Sequence, residues 1–464
     1  MNRRSLSLIA IGLITVILAF SFVIYELGLM RSSAPSSALW QRPIENSAAA
    51  FAVDDGKVFM ADEKGNLLCF DSHNGESLWN SSIYLGTSDE YSPWGAWHAG
   101  EIVVSGNQVY VAIENARVSC FDRDNGTFLW TFQNADFFES IPRIIVKRSM
   151  IFAITNAISA HDAITGELLW EANPILENCF EPNVFPLWGD DFVDGKFIYA
   201  MGGESSRVHF CKINAENGNV LWRSRVTWDS SVLRLSSMFI PHVAASAQGR
   251  IIIEVIFQKD WVHQFLCLNS ASGEELWNID IGGDGIEFAY GPIVYNDLFL
   301  FAKADGYLYA VNLANGTIAW KTKVDTQNLF SFNASFNNTV QATSIQIDAR
   351  NQRLFWGLNV AESGPSNNYT GTLCSLNLSN GNVEWIKQLE SENATFGSFR
   401  FGTVLAFNDE TNKIFLTKNN GLWIFDASTG DLVQSQQFDH YVFPPIVLGN
   451  ETFVAADLWL FAYA

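Results

Sequence analysis

The chain is short of several things, and each shortage removes a class of protein. Of its 464 residues only 28 are Lys or Arg, against 49 Asp or Glu, giving a net charge of −21. Phosphate backbones repel such a surface, so nucleic acid is not an expected partner. There are six cysteines, and none forms CxxC, CxxCH or an adjacent pair. Zinc ribbons, thioredoxin-like dithiols and c-type haem attachment therefore have no footing. His73, His98, His161, His209, His242, His263 and His440 are scattered, without HExxH or another ligand spacing. No G-x-S-x-G elbow or P-loop occurs. Past the N-terminus there is no helical periodicity sustained over about twelve residues. Charged residues make up 17% and hydrophobic ones 48%, which is not a disordered composition.

What is present begins with an apolar leader. Arg3 and Arg4 precede an apolar run from Leu6 to Tyr25. About twenty apolar residues suffice to cross a bilayer, whereas the core of a cleaved signal is roughly 7–15 residues. The expected division is a cytoplasmic stub at 1–5, a signal anchor at 6–27, a linker at 28–38 and an extracytoplasmic domain at 39–464. Late cleavage near Ser36-Ser37-Ala38 is the other reading, and Arg3-Arg4 only weakly echoes a twin-arginine signal. Asn80, Asn125, Asn315, Asn333, Asn337, Asn368, Asn377, Asn393 and Asn450 begin N-x-S/T sequons, candidates for glycosylation in a host with the machinery. Asn125 and Asn315 also belong to Asn-Gly-Thr turns.

The dominant feature is a repeat. "FDRDNGTFLW" ending at Trp130 returns as "HDAITGELLW" ending at Trp170. The pattern starts at Asp71, Asp122, Asp162, Asn214, Asn269, Asn312, Asn377 and Asp426. Its glycines are Gly75, Gly126, Gly166, Gly218, Gly273, Gly316, Gly381 and Gly430. It closes on Trp79, Trp130, Trp170, Trp222, Trp277, Trp320 and Trp385, with Gln434 breaking the last. The acid or amide accepts hydrogen bonds from turn amides two residues on. Glycine supplies a positive φ, and tryptophan has a face large enough to cover a neighbouring unit. Upstream of each turn, short β-branched and aromatic runs alternate with Asp, Asn and Gly clusters, which read as strand, turn, strand, turn, strand. Four short strands per unit of about forty to fifty residues is a propeller blade. The fold class is therefore all-β: a β-propeller of four-stranded antiparallel blades.

The repeat resembles the A-x-D-x-x-T-G-x-x-x-W tryptophan-docking motif of quinoprotein dehydrogenases and of propellers with pyrroloquinoline-quinone-type repeats. "AHDAITGELLW" (160–170) fits every specified position; "AVNLANGTIAW" (310–320) fits with Asn for the acid and Asn for Thr. The repeats cover nearly all of the chain after Trp40. The resemblance implies eight blades, and eight are favoured. A literal count of eight turns plus Trp40 leaves nine open. The C-terminal stretch supplies three strands and "ALWQRPI" around Trp40 a fourth, so the two ends are expected to pair and close the ring. Trp40 would then begin an outer strand from the side of the Asp-x-x-x-Gly turns, which places that side toward the membrane.

Candidate binding residues crowd the connections on the opposite side: Trp94, Trp97, His98, Phe185, Trp188, Asp190, Asp191, Tyr290 and Phe401, with Phe288 and Phe399 beside them. Clustered aromatics with a few polar groups suit a ligand or partner surface; sealing the inner strands is the bland alternative. Cys69, Cys120 and Cys267 occupy the Ala position of the motif, where a thiol acts as a small buried hydrophobe. Mostly free thiols are expected, with Cys179 the open case. The turns at Asp54–Gly56 and Gly283–Gly285 are compatible with calcium, but turn formation alone explains them.

Two functions remain. One is a membrane-anchored, non-catalytic binding or scaffold module for a protein or glycan, with no cofactor. It is similar to the propeller of the outer-membrane assembly lipoprotein, although no lipobox cysteine follows the apolar run. The other is a quinoprotein-like oxidoreductase using pyrroloquinoline quinone and calcium. That resemblance implies Glu, Asn and Asp around the quinone and, in many members, a disulfide of adjacent cysteines. No residue set here matches those positions, so the binding reading is favoured.

Overall fold

A computed structural model of the chain describes residues 38–83, 99–113, 116–133, 142–154, 158–172, 196–204, 207–227, 242–257, 262–280, 292–302, 307–324, 340–361, 368–388, 392–393, 404–418, 420–438, 442–456 and 458–464. The apolar segment 6–27 lies outside the described residues. Among those described, no helix is long and apolar enough to cross a membrane.

The described residues form nine antiparallel sheets. Blade one is typical: Ala48–Asp54, Lys57–Asp62, Asn66–Asp71 and Ser77–Ser82 pair in chain order, strands A to D from the axis outward. Blades two to eight follow at 99–133, 143–172, 197–227, 242–280, 293–323, 340–393 and 404–437. Blade four shows three described strands, and a short strand, Glu392–Asn393, adds to blade seven. Blade nine combines Ile446–Leu448, Glu451–Ala456 and Trp459–Tyr463 with the N-terminal strand Ala38–Pro43. Gln41 pairs with Phe461 and Arg42 with Leu460, so the sheet is closed by residues more than four hundred positions apart, as the sequence led us to expect.

The blade number corrects the expectation of eight. Each of the eight Asp/Asn-x-x-x-Gly turns builds its own sheet, and the strand with Trp40 completes a ninth. The literal count was physically sound because every turn has a separate glycine and a separate strand pair. The resemblance supplied the wrong number.

The core lies between blades. Middle strands alternate so that both faces are buried, as in Val58-Phe59-Met60-Ala61 and Phe299-Leu300-Phe301-Ala302. Phe59 packs toward blade two with Val109 and Phe121. Val58 and Met60 pack the other way, against Phe453 and Leu460 of blade nine. Phe415 and Leu422 of blade eight meet Val454 and Phe461 of blade nine. The ring is thus closed by the same apolar contact that joins its other members.

Strand directions assign the surfaces. A–B and C–D turns lie on one face, while B–C and D–A connections lie on the other. On the first face the residue after each Asp or Asn donates its N–H to the A–B turn of the same blade: Ser72 to Gly56 O, Arg123 to Asn107 O, Ala163 to Ser149 O, each 2.9–3.0 Å. That bond recurs in all eight blades that have a C–D turn.

Candidate interaction surface

The repeated residues are consumed by contacts between blades. In the turn 71–76, Asp71 Oδ1 accepts the N–H groups of His73 at 2.9 Å and Asn74 at 3.3 Å. Gly75 N–H returns to Asp71 O at 2.9 Å. Gly75 has φ +71°, and the ring of Trp40 lies 2.6 Å from where a Cβ would stand. The pattern then runs around the ring: Trp79 on Gly126, Trp130 on Gly166, Trp170 on Gly218, Trp222 on Gly273, Trp277 on Gly316, Trp320 on Gly381 and Trp385 on Gly430. Most indoles also donate to the same turn, such as Trp40 Nε1 to Ser72 O at 2.7 Å and Trp79 Nε1 to Arg123 O at 3.0 Å. Trp385 Nε1 is buried with no acceptor among the described residues.

Gln434 is the ninth position, and its neighbour explains the exception. Strands C and D of blade nine are Trp459–Tyr463 and Ala38–Pro43, which no short turn joins. No glycine of that kind stands opposite, so an indole would have nothing to lie on. Here Lys413 of blade eight instead donates Nζ to Ala464 O of blade nine.

The motif's small residue has a role the sequence did not reveal. It is the cross-strand partner of the tryptophan: Cys69 with Trp79, Cys120 with Trp130, Ala160 with Trp170, Cys267 with Trp277, Ala310 with Trp320. A bulge follows each pair. Cys69, Cys120, Cys267 and Cys374 are buried free thiols, and Cys211 is also a buried thiol. Burial pushes Cys69, Cys120 and Cys267 up to about 12, which removes them from thiolate chemistry. Cys179 lies outside the described residues. Blade four places Lys212 opposite Trp222. Its Nζ donates to Ser270 O of blade five at 2.9 Å and lies 3.7 Å from the Phe197 ring centroid.

Polar contacts add to the seams. Arg123 reaches Asp54 Oδ2 at 2.9 Å, and Lys57 reaches Asp124 at 2.5 Å, joining blades one and two. Arg353 pairs with buried Asp348 at 2.7 Å and donates to Ala427 O of blade eight at 2.8 Å. Burial raises the Asp348 carboxyl, but bonds from Asn351 and Arg353, with the guanidinium charge, outweigh it and hold the group below its usual range. His161 is buried, stacked on Phe132 of blade two at 3.6 Å, and bonded to Gly166 O and Ser159 Oγ. Burial lowers its pKa against the opposing effect of the Gly166 bond.

Every proposed outward residue lies outside the described residues: Trp94, Trp97, His98, Phe185, Trp188, Asp190, Asp191, Tyr290 and Phe401, as do Phe288, Phe399 and Gly283–Gly285. Among the described residues no three His, Cys, Asp or Glu converge as metal ligands. The turn at Asp54–Gly56 binds Arg123 through its acids and carbonyls. The described side chains therefore do not fit calcium with a quinone. Of the sequons, Asn80 and Asn450 are exposed. Asn125 and Asn315 are exposed too, but their Oδ1 atoms accept the N–H groups of Thr127 and Thr317. Asn377 is half-buried in its turn. Asn333 and Asn337 lie outside the described residues, and the side chains of Asn368 and Asn393 are likewise not described.

A ring of nine antiparallel sheets, eight of its nine seams locked by Gly and Trp, defines a repeat β-propeller. The sequence matches the family described as outer membrane protein assembly factor BamB at residues 18–81, 85–227 and 211–461, and the chain belongs to that family. The outer membrane protein assembly factor BamB of Yersinia pestis is 23% identical over 316 residues, covering 59% of this chain and 76% of that protein. Among solved structures, Sqt1 of Saccharomyces cerevisiae has a TM-score of 0.50 at 10% identity, covering 92% of this chain and 99% of that one. Quinohemoprotein alcohol dehydrogenase of Comamonas testosteroni has a TM-score of 0.50 at 11% identity, covering 92% and 76%. These two likenesses show the fold alone.

Proposed function

We propose that the chain is a membrane-anchored scaffold outside the cytoplasm, using its D–A connections to hold a protein or glycan of the cell envelope without catalysis. The observation that carries this reading is family membership across nearly the whole propeller, with relatives whose name is that of an outer-membrane assembly factor. The use of Asp, Gly and Trp in inter-blade contacts supports it, because the repeats then supply rigidity and leave recognition to the connections. Residues 6–27 anchor the chain, and the linker 28–38 reaches at most ~40 Å. Ala38–Pro43 starts from the C–D face, which therefore looks toward the membrane. Trp94, Trp97, His98, Phe185, Trp188, Asp190, Asp191, Tyr290 and Phe401 form the outward contact set. Asn80 and Asn450 are the sequons best presented for glycans.

A photo-crosslinking residue at Trp94 or Trp188 of the full chain, in native membranes, tests this. Adducts with an envelope protein or glycan are expected there and not at Ala314 on the opposite face. Adducts at Ala314 alone would overturn the reading. Saturable binding of pyrroloquinoline quinone with calcium, together with dye reduction, would replace the scaffold by the oxidoreductase.

A further inference from the structure

Large exposed apolar side chains on the described surface include one recurrent set: Leu39, Leu78, Leu129, Leu169, Leu221 and Leu276. Each immediately precedes a repeat tryptophan. They occupy the bulge beside the indole, so strand geometry accounts for them. Ile164 does not belong to this set. It sits at the tip of the C–D turn of blade three and is 66% exposed, the highest value among the large apolar side chains described. The equivalent turn positions carry small or polar residues, for example His73, Asp124, Ala271 and Ser428. Its backbone is fixed: the N–H donates to Asp162 Oδ1 at 2.9 Å, and the carbonyl accepts Trp130 Nε1 at 2.7 Å. Leu168, 56% exposed, follows on the same blade, at a position where Ile318, Val383 and Leu432 are also exposed, so Ile164 is what sets this turn apart.

The A–B turn beside it is also distinctive. Lys147, Arg148 and Ser149 are all exposed. Arg148 and Ser149 have φ of +51° and +61°, the one case among the described residues of two consecutive non-glycine residues at positive φ. A two-residue hairpin of this type needs positive φ at both central positions, which blades one and five meet with Asp55-Gly56 and Gln248-Gly249; blade three meets it with Arg148 in place of a small or neutral residue. Ser149 O accepts the N–H of Ala163 at 2.9 Å, which locks the two turns side by side.

We propose that these two turns of blade three form a membrane-contact corner, in which Ile164 and Leu168 enter the bilayer interface while Lys147 and Arg148 meet lipid phosphates. The proposal rests on the orientation given above, with the C–D face toward the bilayer. Two observations select the bilayer as occupant. The outer strand beginning at Ala38 starts from this same face, and the apolar run ends about a dozen residues before it, so this face is held within reach of lipid. The charge on the face is also uneven. Blades eight, nine and one carry Glu410, Glu451 and Glu76 there, besides motif acids Asp71 and Asp426 that bond turn amides as Asp162 does, an arc that anionic headgroups repel. Blade three has a basic turn and an apolar tip, so tilting the disk toward it relieves that repulsion and brings Ile164 down first. Asp162 directs Oδ1 to turn amides, and Glu167 is the acid of this blade that opposes the contact. An apolar tip beside basic residues is the arrangement that binds an interface by insertion and phosphate attraction together.

The test uses the full chain, with Cys179→Ser, in phosphatidylcholine nanodiscs with or without phosphatidylglycerol. One environment-sensitive fluorophore is attached through Ile164→Cys, Ala314→Cys at the same turn position of blade six, or Lys64→Cys on the opposite face. Lipids with a nitroxide near the headgroup act as quencher. Strong quenching is expected at 164, weak quenching at 314 and none at 64. Adding Lys147→Gln and Arg148→Gln should lower the phosphatidylglycerol-dependent contact by about fivefold per residue changed. Equal quenching at 164 and 314 keeps the orientation and overturns the corner. Quenching at 64 alone overturns the orientation and the corner with it. No quenching at 164 on a disc-bound chain overturns the corner.

Discussion

Trp79 lies across Gly126 of the following blade, with its Cε3 2.5 Å from the point a Cβ would occupy. The glycine is required twice over, once by φ +72° and once by the indole. Gly126→Ala should therefore displace the ring and lose its packing, while Gly106→Ala, at φ +59° with nothing within 4 Å, meets only the backbone penalty of about 1–2 kcal/mol. Urea unfolding of the two variants should show the larger loss for Gly126→Ala. Equal losses would mean that the indole yields freely.

The two seams of blade nine predict an asymmetry. Trp40→Ala removes an indole that has both a glycine and the Ser72 carbonyl beneath it. Its cost should approach, from below, the roughly 3–5 kcal/mol of a buried tryptophan, since Trp40 is only partly buried. Gln434→Trp should bring no gain, although it restores the repeat pattern. A rise in unfolding midpoint for Gln434→Trp would contradict the explanation given for that position.

Asp348→Ala leaves Arg353 nearly buried beside a missing carboxylate. A loss of about 3–5 kcal/mol is expected, the range for breaking one side of a buried pair. The native carboxyl is held below its ordinary value of 3.8. Its contribution is therefore full above that value and fades as pH falls through the lower folded one. The difference between native chain and variant should be flat from neutrality to about pH 5 and shrink in stronger acid.

His161 gives the dependence in a higher window. Its folded pKa lies below the ordinary 6.5 because burial disfavours the cation. Below 6.5 the unfolded chain takes up a proton that the folded chain resists, so stability declines as pH drops from there toward the folded value. His161→Phe keeps a ring against Phe132 and should remove this part of the decline. An unchanged stability profile between pH 7 and 5 would show that the histidine carries no such linkage.

Much of this fold could be read from the residues because its joints are made of residues with few substitutes. Gly126 and Trp79 are 47 positions apart in the chain, yet each announces a steric need. Trp40 and the three C-terminal strands gave the ring closure, and the eight turns together with Trp40 left nine blades open although eight were favoured. What could not be read was pairing between ordinary residues. Nothing about Arg353 signals a carbonyl at Ala427, and the small residue opposite each indole becomes intelligible only once strand register is known. The candidate surface was legible as composition only. Trp94, Trp188 and their companions belong to connections that no repeat constrains.

The joint between Arg42 and Leu460 also orders the birth of the molecule. The strand that leaves the ribosome early, at Ala38–Pro43, can find its partner only after Trp459–Tyr463 has been made. Until then the nascent ring stays open, with the strand that carries Trp40 unpaired along one edge. A translation arrest anywhere upstream leaves a crescent with a bare strand edge in place of a closed disk.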